Sequence, residues 1–194
     1  MAKLCMSEEN IKRLIRLAEP DERDFCLLWL LASTGFKIGE VLNLRRSDVV
    51  VNGEVVRALR VRRGNKWLER PLRDEARRAL GSYLKTRQDQ NPWLFIGQSP
   101  RNKADAQRPL SRSAVHLIVK EYLREIYPYE IVTMGAATHV LRRSIARLIW
   151  NKTGRIEASR MWLGLSSDGQ TKRYLEIRTL TLEEVNSVVA DLDL

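Results

Sequence analysis

The sequence predicts a mainly α-helical domain with one small antiparallel β-sheet, an α+β fold. Three observations predict it. Apolar residues recur at helical spacing along most of the chain, as in Ile11, Leu14, Ile15 and Ala18. Between Val49 and Leu72 the pattern changes to β-branched runs separated by turn residues. A chain of 194 residues, 44% of them hydrophobic, suits one domain that buries its own core without metal or disulfide.

The elements follow in order. Ser7 ahead of Glu8 and Glu9 supplies a capping hydroxyl and acids suited to a helix N-terminus, so the first helix starts there. Pro20 and Asp21 break it. A second, nearly all-apolar helix is predicted over residues 24–33, ended by Gly35, and a third carries Ile38, Val41 and Leu42 towards Leu44. Val50, Val51, Val55 and Val56 around Gly53, then Leu59 and Val61, give strands of a single basic sheet, with a tight turn at Arg63-Gly64-Asn65-Lys66. Helical patterns resume over residues 74–86, 111–126, 137–150 and 155–163, with a polar loop over 97–108. Thr181 with Glu184 three residues later forms a capping box that opens a last helix. Trp29, Trp150 and Cys26 are expected in the core, and His116, among Val115, Leu117 and Ile118, is expected to be structural.

Composition narrows the function. Thirty-four Lys and Arg against 24 Asp and Glu give a formal net charge of +10. Such an excess favours polyanionic partners, because each phosphate neutralised releases condensed counterions. A solvated basic surface is the bland alternative. The distribution argues for a contact surface: Arg57, Arg60, Arg62, Arg63, Lys66, Arg70 and Arg73 cluster against the single acid Glu69, whereas residues 179–194 carry four acids and no base. Two cysteines make no disulfide framework, and no Cys/His cluster has metal spacing, so neither metal nor cofactor is expected. The apolar run over residues 25–32 is far short of the roughly 20 residues that span a bilayer. Residues 1–10 do not resemble a signal peptide, and a cytoplasmic location is expected.

Four segments carry a family resemblance. Thr34-Gly35-Phe36-Lys37-Ile38-Gly39-Glu40-Val41-Leu42-Asn43-Leu44, followed by Asp48, is similar to a TGLR-x-SE-x-x-x-L box. Arg62-Arg63-Gly64-Asn65-Lys66, closed by Pro71-Leu72, resembles a GKGNK…PL hairpin. His139-Val140-Leu141-Arg142 matches an HxLR box, and Trp162-Leu163-Gly164-Leu165 with Tyr174 nine residues on resembles LLGH…Y. In that order, over residues 3–178, they resemble the catalytic domain of the tyrosine recombinases, the phage-integrase family. The family's usual N-terminal DNA-clamping domain has no counterpart here. The chain therefore looks like an excised catalytic domain or a minimal recombinase similar to the fimbrial-switch invertases.

The resemblance implies a chemistry. A Tyr hydroxyl attacks a scissile DNA phosphate, leaving a 3′-phosphotyrosyl link and a free 5′-hydroxyl, and cationic side chains stabilise the developing charge. By position, Tyr174 is the nucleophile and Arg142 a bidentate phosphate clamp. His139, one turn earlier, faces the same phosphate. Lys37 stands where the family has Arg, keeping the charge but losing the fork. Arg63 stands at the hairpin Lys that acts as general acid, and guanidinium is a poor proton donor; Lys66, at the same turn, is the candidate substitute. Leu165 replaces a second His or Trp and cannot hydrogen-bond phosphate, a loss that typically costs about 2.7–4 kcal/mol in transition-state stabilisation. Arg60, Arg62, Arg63, Lys66 and Arg143 are the candidate DNA contacts.

The expected function is a site-specific recombinase of integrase or invertase type, acting on double-stranded DNA as a homo-oligomer, a tetramer by resemblance. Residues 1–178 form the catalytic domain. Residues 179–194 form a helix that packs on its own or a neighbouring protomer through Leu182, Val185, Val188 and Val189. Two rival readings share the fold: a recombinase-like protein that binds DNA without cutting it, motivated by Lys37, Arg63 and Leu165, and a type IB topoisomerase-like relaxase.

Overall fold

The computed structural model describes residues 4–97, 108–129, 137–177, 183 and 187. Helix α1 (Glu8–Leu17) is capped as expected, Ser7 accepting from the Asn10 N–H. Helix α2 (Glu22–Thr34) starts two residues earlier than expected. Asp21 is its cap, one carboxylate oxygen accepting from the N–H groups of both Arg23 and Asp24. It is the central helix, with Cys26, Leu27, Leu28 and Leu30 fully buried. Its one buried ion pair, Arg23 with Asp24 at 2.7 Å, also accepts a hydrogen bond from Tyr122 Oη.

Gly35 ends α2 in the left-handed region, at φ 63°. A Cβ there would also meet the ring and the carbonyl oxygen of Trp162 at 2.8 Å. Position 35 thus locks the end of α2 against the end of a helix at Trp162, 127 residues later. Gly35→Ala is expected to lose roughly 1–3 kcal/mol from backbone strain alone, read as a fall of several degrees in Tm.

Short helices α3 (Ile38–Leu42) and α4 (Arg46–Val49) lead into the β region. The single sheet expected there is two separate ladders. Strands β1 (Val50–Val51) and β2 (Glu54–Val55) form one ribbon, joined by Asn52-Gly53 with both φ values positive. Strands β3 (Ala58–Arg63) and β4 (Lys66–Pro71) form the other, in register from Ala58↔Pro71 to Arg63↔Lys66. Val56 returns its N–H to Val49 O and Arg57 accepts from Leu72 N–H, so the chain turns between the ribbons and no ladder crosses them. Only the second ribbon is strongly basic.

Helix α5 (Asp74–Thr86) lies along α2, and α6 (Arg112–Ile126) and α7 (Ala137–Thr153) close the main core. Helices α8 (Ile156–Leu163) and α9 (Asp168–Leu175) pack on α7 around a small second core of Ala146, Leu163 and Leu175. Cys26 is in the core as expected. Trp29 and Trp150 are only half-buried, packed on the main and the second core respectively. His116 is buried on α6, and neither ring nitrogen has a partner among the described residues. Most of the 97–108 loop, and the Leu182, Val185, Val188, Val189 stripe of the expected last helix, lie outside the described residues. No described helix is long and apolar enough to cross a membrane.

Candidate active site

A cleft of about 700 Å³ opens where α3, the β3–β4 ribbon, the start of α6, α7 and α9 meet. Lys37, Arg60, Arg62, His139, Arg142, Leu165 and Tyr174 all line it, and they come from five separate stretches of chain. Each is placed by local chemistry. Lys37 precedes the first turn of α3, its backbone N–H held by Glu40 Oε2 at 2.7 Å. His139 and Arg142 are one turn apart on α7 and so share a face.

Arg142 is only 6% exposed and is held by two backbone carbonyls. Nε donates to Gly35 O at 2.9 Å and Nη2 to Leu163 O at 2.7 Å; Nη1 takes part in neither bond. The guanidinium is therefore set before any anion arrives, which lowers the reorganisation needed to stabilise one. Its Cζ lies 5.4 Å from the centre of the Tyr174 ring. The His139 ring meets the same tyrosine edge-on, with centroids 6.4 Å apart.

Tyr174 rides on α9, a helix absent from the sequence-based reading. Ser167 caps it by accepting from the Gln170 N–H, and Asp168 in its first turn pairs with Arg160 at 2.7 Å. Thr171 and Leu175, four apart, are its buried face. The Ser167 cap and this pair were the available signals; eight residues with only two buried anchors gave too weak a period to stand out. Tyr174 is half-buried. Its Oη is shielded from solvent and, among the described residues, has no hydrogen-bond partner of good geometry, although Arg142 is near enough to interact with it. A buried hydroxyl without a partner is uncommon and calls for a role.

Arg63 is not brought to the cleft. Strand alternation puts Arg60 and Arg62 on one face of β3, and Arg63 on the other with Leu59 and Val61. Its guanidinium is consumed there. Nε and Nη2 pair with the two oxygens of Glu40 at 2.6 and 2.7 Å, and Nη1 donates to Leu163 O and Gly164 O at 2.7 and 2.9 Å. Burial raises the pKa of Glu40, but the bonds from Arg63 and the Lys37 N–H outweigh it and leave it below its ordinary value. With Arg70 on Met161 O, which also accepts the Gly164 N–H, and on Trp162 O, Arg63 and Arg142 satisfy the carbonyls at the end of α8. Lys66 is exposed at the turn and does not line the cleft. Arg143 is also displaced from its expected role: 6% exposed, it stacks 5.8 Å from the Tyr174 ring centre, away from the cleft lining. Arg60 lies over the exposed Trp67 at 5.3 Å, and Arg62 Nε donates to Gly64 O at 3.1 Å. The lining also includes Asn43 and Asp48 of the first box, and Arg112 and Thr138, which sequence reasoning did not single out.

The model of the phage integrase family matches residues 5–180. The chain belongs to the phage integrase family. Tyrosine recombinase XerA of Pyrococcus horikoshii is 28% identical to this integrase-family chain over 179 residues, 92% of the chain and 59% of that protein. Tyrosine recombinase XerD of Yersinia pestis is 29% identical over 189 residues, 93% of the chain and 60% of that protein. The chain thus spans about three fifths of the length of these curated relatives. Among solved structures, XerA recombinase superposes with a TM-score of 0.71 at 26% identity, covering 98% of the chain and 65% of its own. The catalytic domain of bacteriophage HP1 integrase shares the fold, with a TM-score of 0.55 at 20% identity, covering 100% of the chain and 97% of its own.

The electrostatics of this integrase-family cleft favour an anion. Burial lowers the His139 pKa from its ordinary 6.5, and Arg142, Arg143 and Lys37 push the same way. The imidazole is therefore neutral at pH 7. Because the folded value lies below the unfolded one, the stability linked to His139 is fully present above 6.5 and is lost as pH falls through the depressed value. A bound phosphate reverses the sign, since its charge raises the His139 pKa and binding then takes up a proton. Affinity for duplex DNA is expected to strengthen as pH falls from 7, and His139→Gln to flatten that dependence, both read by fluorescence anisotropy.

Proposed function

We propose that this chain is the catalytic domain of a site-specific DNA recombinase, of integrase or invertase type, working through a 3′-phosphotyrosyl intermediate at Tyr174. One observation carries the reading: an unpartnered Tyr174 hydroxyl faces a fixed Arg142, a neutral His139 and Lys37 in one cleft of one protomer. The shared cleft supports delivery of Tyr174 in cis. Tyr174 Oη bonds to phosphorus as the bond to the 5′ oxygen breaks. Its proton passes to His139 in those complexes whose imidazole is still unprotonated, and the departing oxygen takes one from water. Arg142 and Lys37 hold the non-bridging oxygens while charge accumulates there. Ligation runs the same steps backwards and needs no ATP, because the phosphodiester energy is kept in the tyrosyl link.

XerA and XerD are named tyrosine recombinases, and XerH is solved bound to its difH substrate, which supports duplex DNA as the partner. We further propose a cytoplasmic homo-oligomer on DNA, a tetramer, with residues 179–194 packing on the same or a neighbouring protomer. Light scattering with and without duplex tests the assembly. The rival is a protein that binds DNA without cutting, favoured by the withdrawal of Arg63 and the apolar Leu165 wall. A duplex nicked beside the crossover point decides between them, because loss of the short fragment traps the covalent species. Its appearance on a denaturing gel supports the recombinase; DNA bound with no adduct supports the rival.

A further inference from the structure

Arg112 opens α6 directly after its cap, Ser111, which accepts from the Ala114 N–H. A cation in the first turn opposes the helix dipole, and no acid shares that turn. Among the described residues Arg112 makes no hydrogen bond or ion pair. It is exposed and lines the cleft together with Lys37, His139, Arg142 and Tyr174. It lies close against α3. A Cβ at Gly39 would meet Arg112 Nη2 at 2.5 Å, and Cζ and Nε at 3.0 Å, so the guanidinium lies across the bare backbone of α3, two residues from Lys37.

Beside α3 the cleft has few other planar donors: Arg60 lies over Trp67 and Arg62 bends to Gly64 O on the hairpin, and Arg142 has two of its nitrogens on backbone carbonyls. Lys37 offers a point charge, Arg63 is spent on Glu40 and the end of α8, and Leu165 offers nothing. We propose that Arg112 is a phosphate-binding residue of this cleft, supplying to the backbone of the cleaved strand the bidentate contact that Lys37 cannot make. The assignment rests on the recombinase reading. It explains an unpaired cation where the helix dipole disfavours one, and a glycine inside α3 where alanine would serve the helix better.

Affinity for a duplex, measured by anisotropy across a salt series, tests this without requiring cleavage. Arg112→Gln is expected to weaken binding about tenfold and to reduce the salt slope by about 1. Lys85→Gln on α5, outside the cleft, is expected to change the slope less. Gly39→Ala keeps every charge and is backbone-compatible, so the clash falls on the flexible end of Arg112. It is expected to weaken binding at an unchanged or higher Tm. The double variant is expected to bind no worse than Arg112→Gln alone, because both changes remove one contact. An unchanged slope in Arg112→Gln, or additive losses in the double variant, overturns the assignment. A parent chain that does not bind duplex overturns the recombinase reading itself, and this residue's role with it.

Discussion

Tyr174→Phe is expected to bind duplex DNA as the parent chain does and to form no covalent adduct with it. The change removes one oxygen, the atom proposed to attack phosphorus, and nothing else in the ring. The Arg142 and Arg143 guanidiniums over the ring, and the His139 edge against it, lose no ring contact. Thermal stability carries a second reading. A buried hydroxyl without a partner costs roughly 1–3 kcal/mol, so its removal should leave Tm unchanged or raise it. A hydroxyl with a structural hydrogen bond would give the opposite sign, a loss near 1 kcal/mol. A nicked-duplex trap and a melting curve on the same sample read both. Adduct persisting in Tyr174→Phe would place the nucleophile elsewhere and sink the mechanism.

A duplex whose scissile 5′ oxygen is replaced by sulfur is expected to be cleaved faster than the natural one, by about 10²–10⁴-fold. That range is the usual worth of a positioned general acid. The basis is the hairpin. Arg63 faces away from the cleft, its guanidinium bound to Glu40 and two carbonyls, and Lys66 is exposed outside the lining. The departing oxygen must then leave as a strongly basic alkoxide or wait for water. A thiolate leaves unaided, since a thiol with pKa near 8.5 is far more acidic than an alcohol. Single-turnover rates on both substrates, for the parent and Lys66→Ala, make the comparison. If Lys66 swings in as the acid, Lys66→Ala slows the oxygen substrate alone by that same factor. Equal rates of the parent chain on oxygen and sulfur would mean that a proton donor is already in place.

Much of the fold was legible because its signals are local. The Ser7 cap, the apolar run of α2, the left-handed stop at Gly35 and the one-turn spacing of His139 and Arg142 each act within a few residues. The two-ladder arrangement was not, because both ribbons carry the same β-branched pattern and only the turn at Val56 and Arg57 separates them. Arg63 could have been read. It shares the parity of Leu59 and Val61, so alternation alone puts it on the inward face. Arg112 could not, since its meaning lies in an opposing glycine 73 residues away in the chain.

By itself the sequence determined the order of the helices other than α4 and α9, the basic hairpin, the kinship of the four segments and the identity of the cations available. Tertiary structure alone decided which cations face the cleft. The reason is competition for donors: the end of α8 leaves carbonyls unpaired, and Arg63, Arg70 and part of Arg142 are taken up in satisfying them. Among the described residues, Lys37, Arg60, Arg62, Arg112 and the remaining face of Arg142 line the cleft.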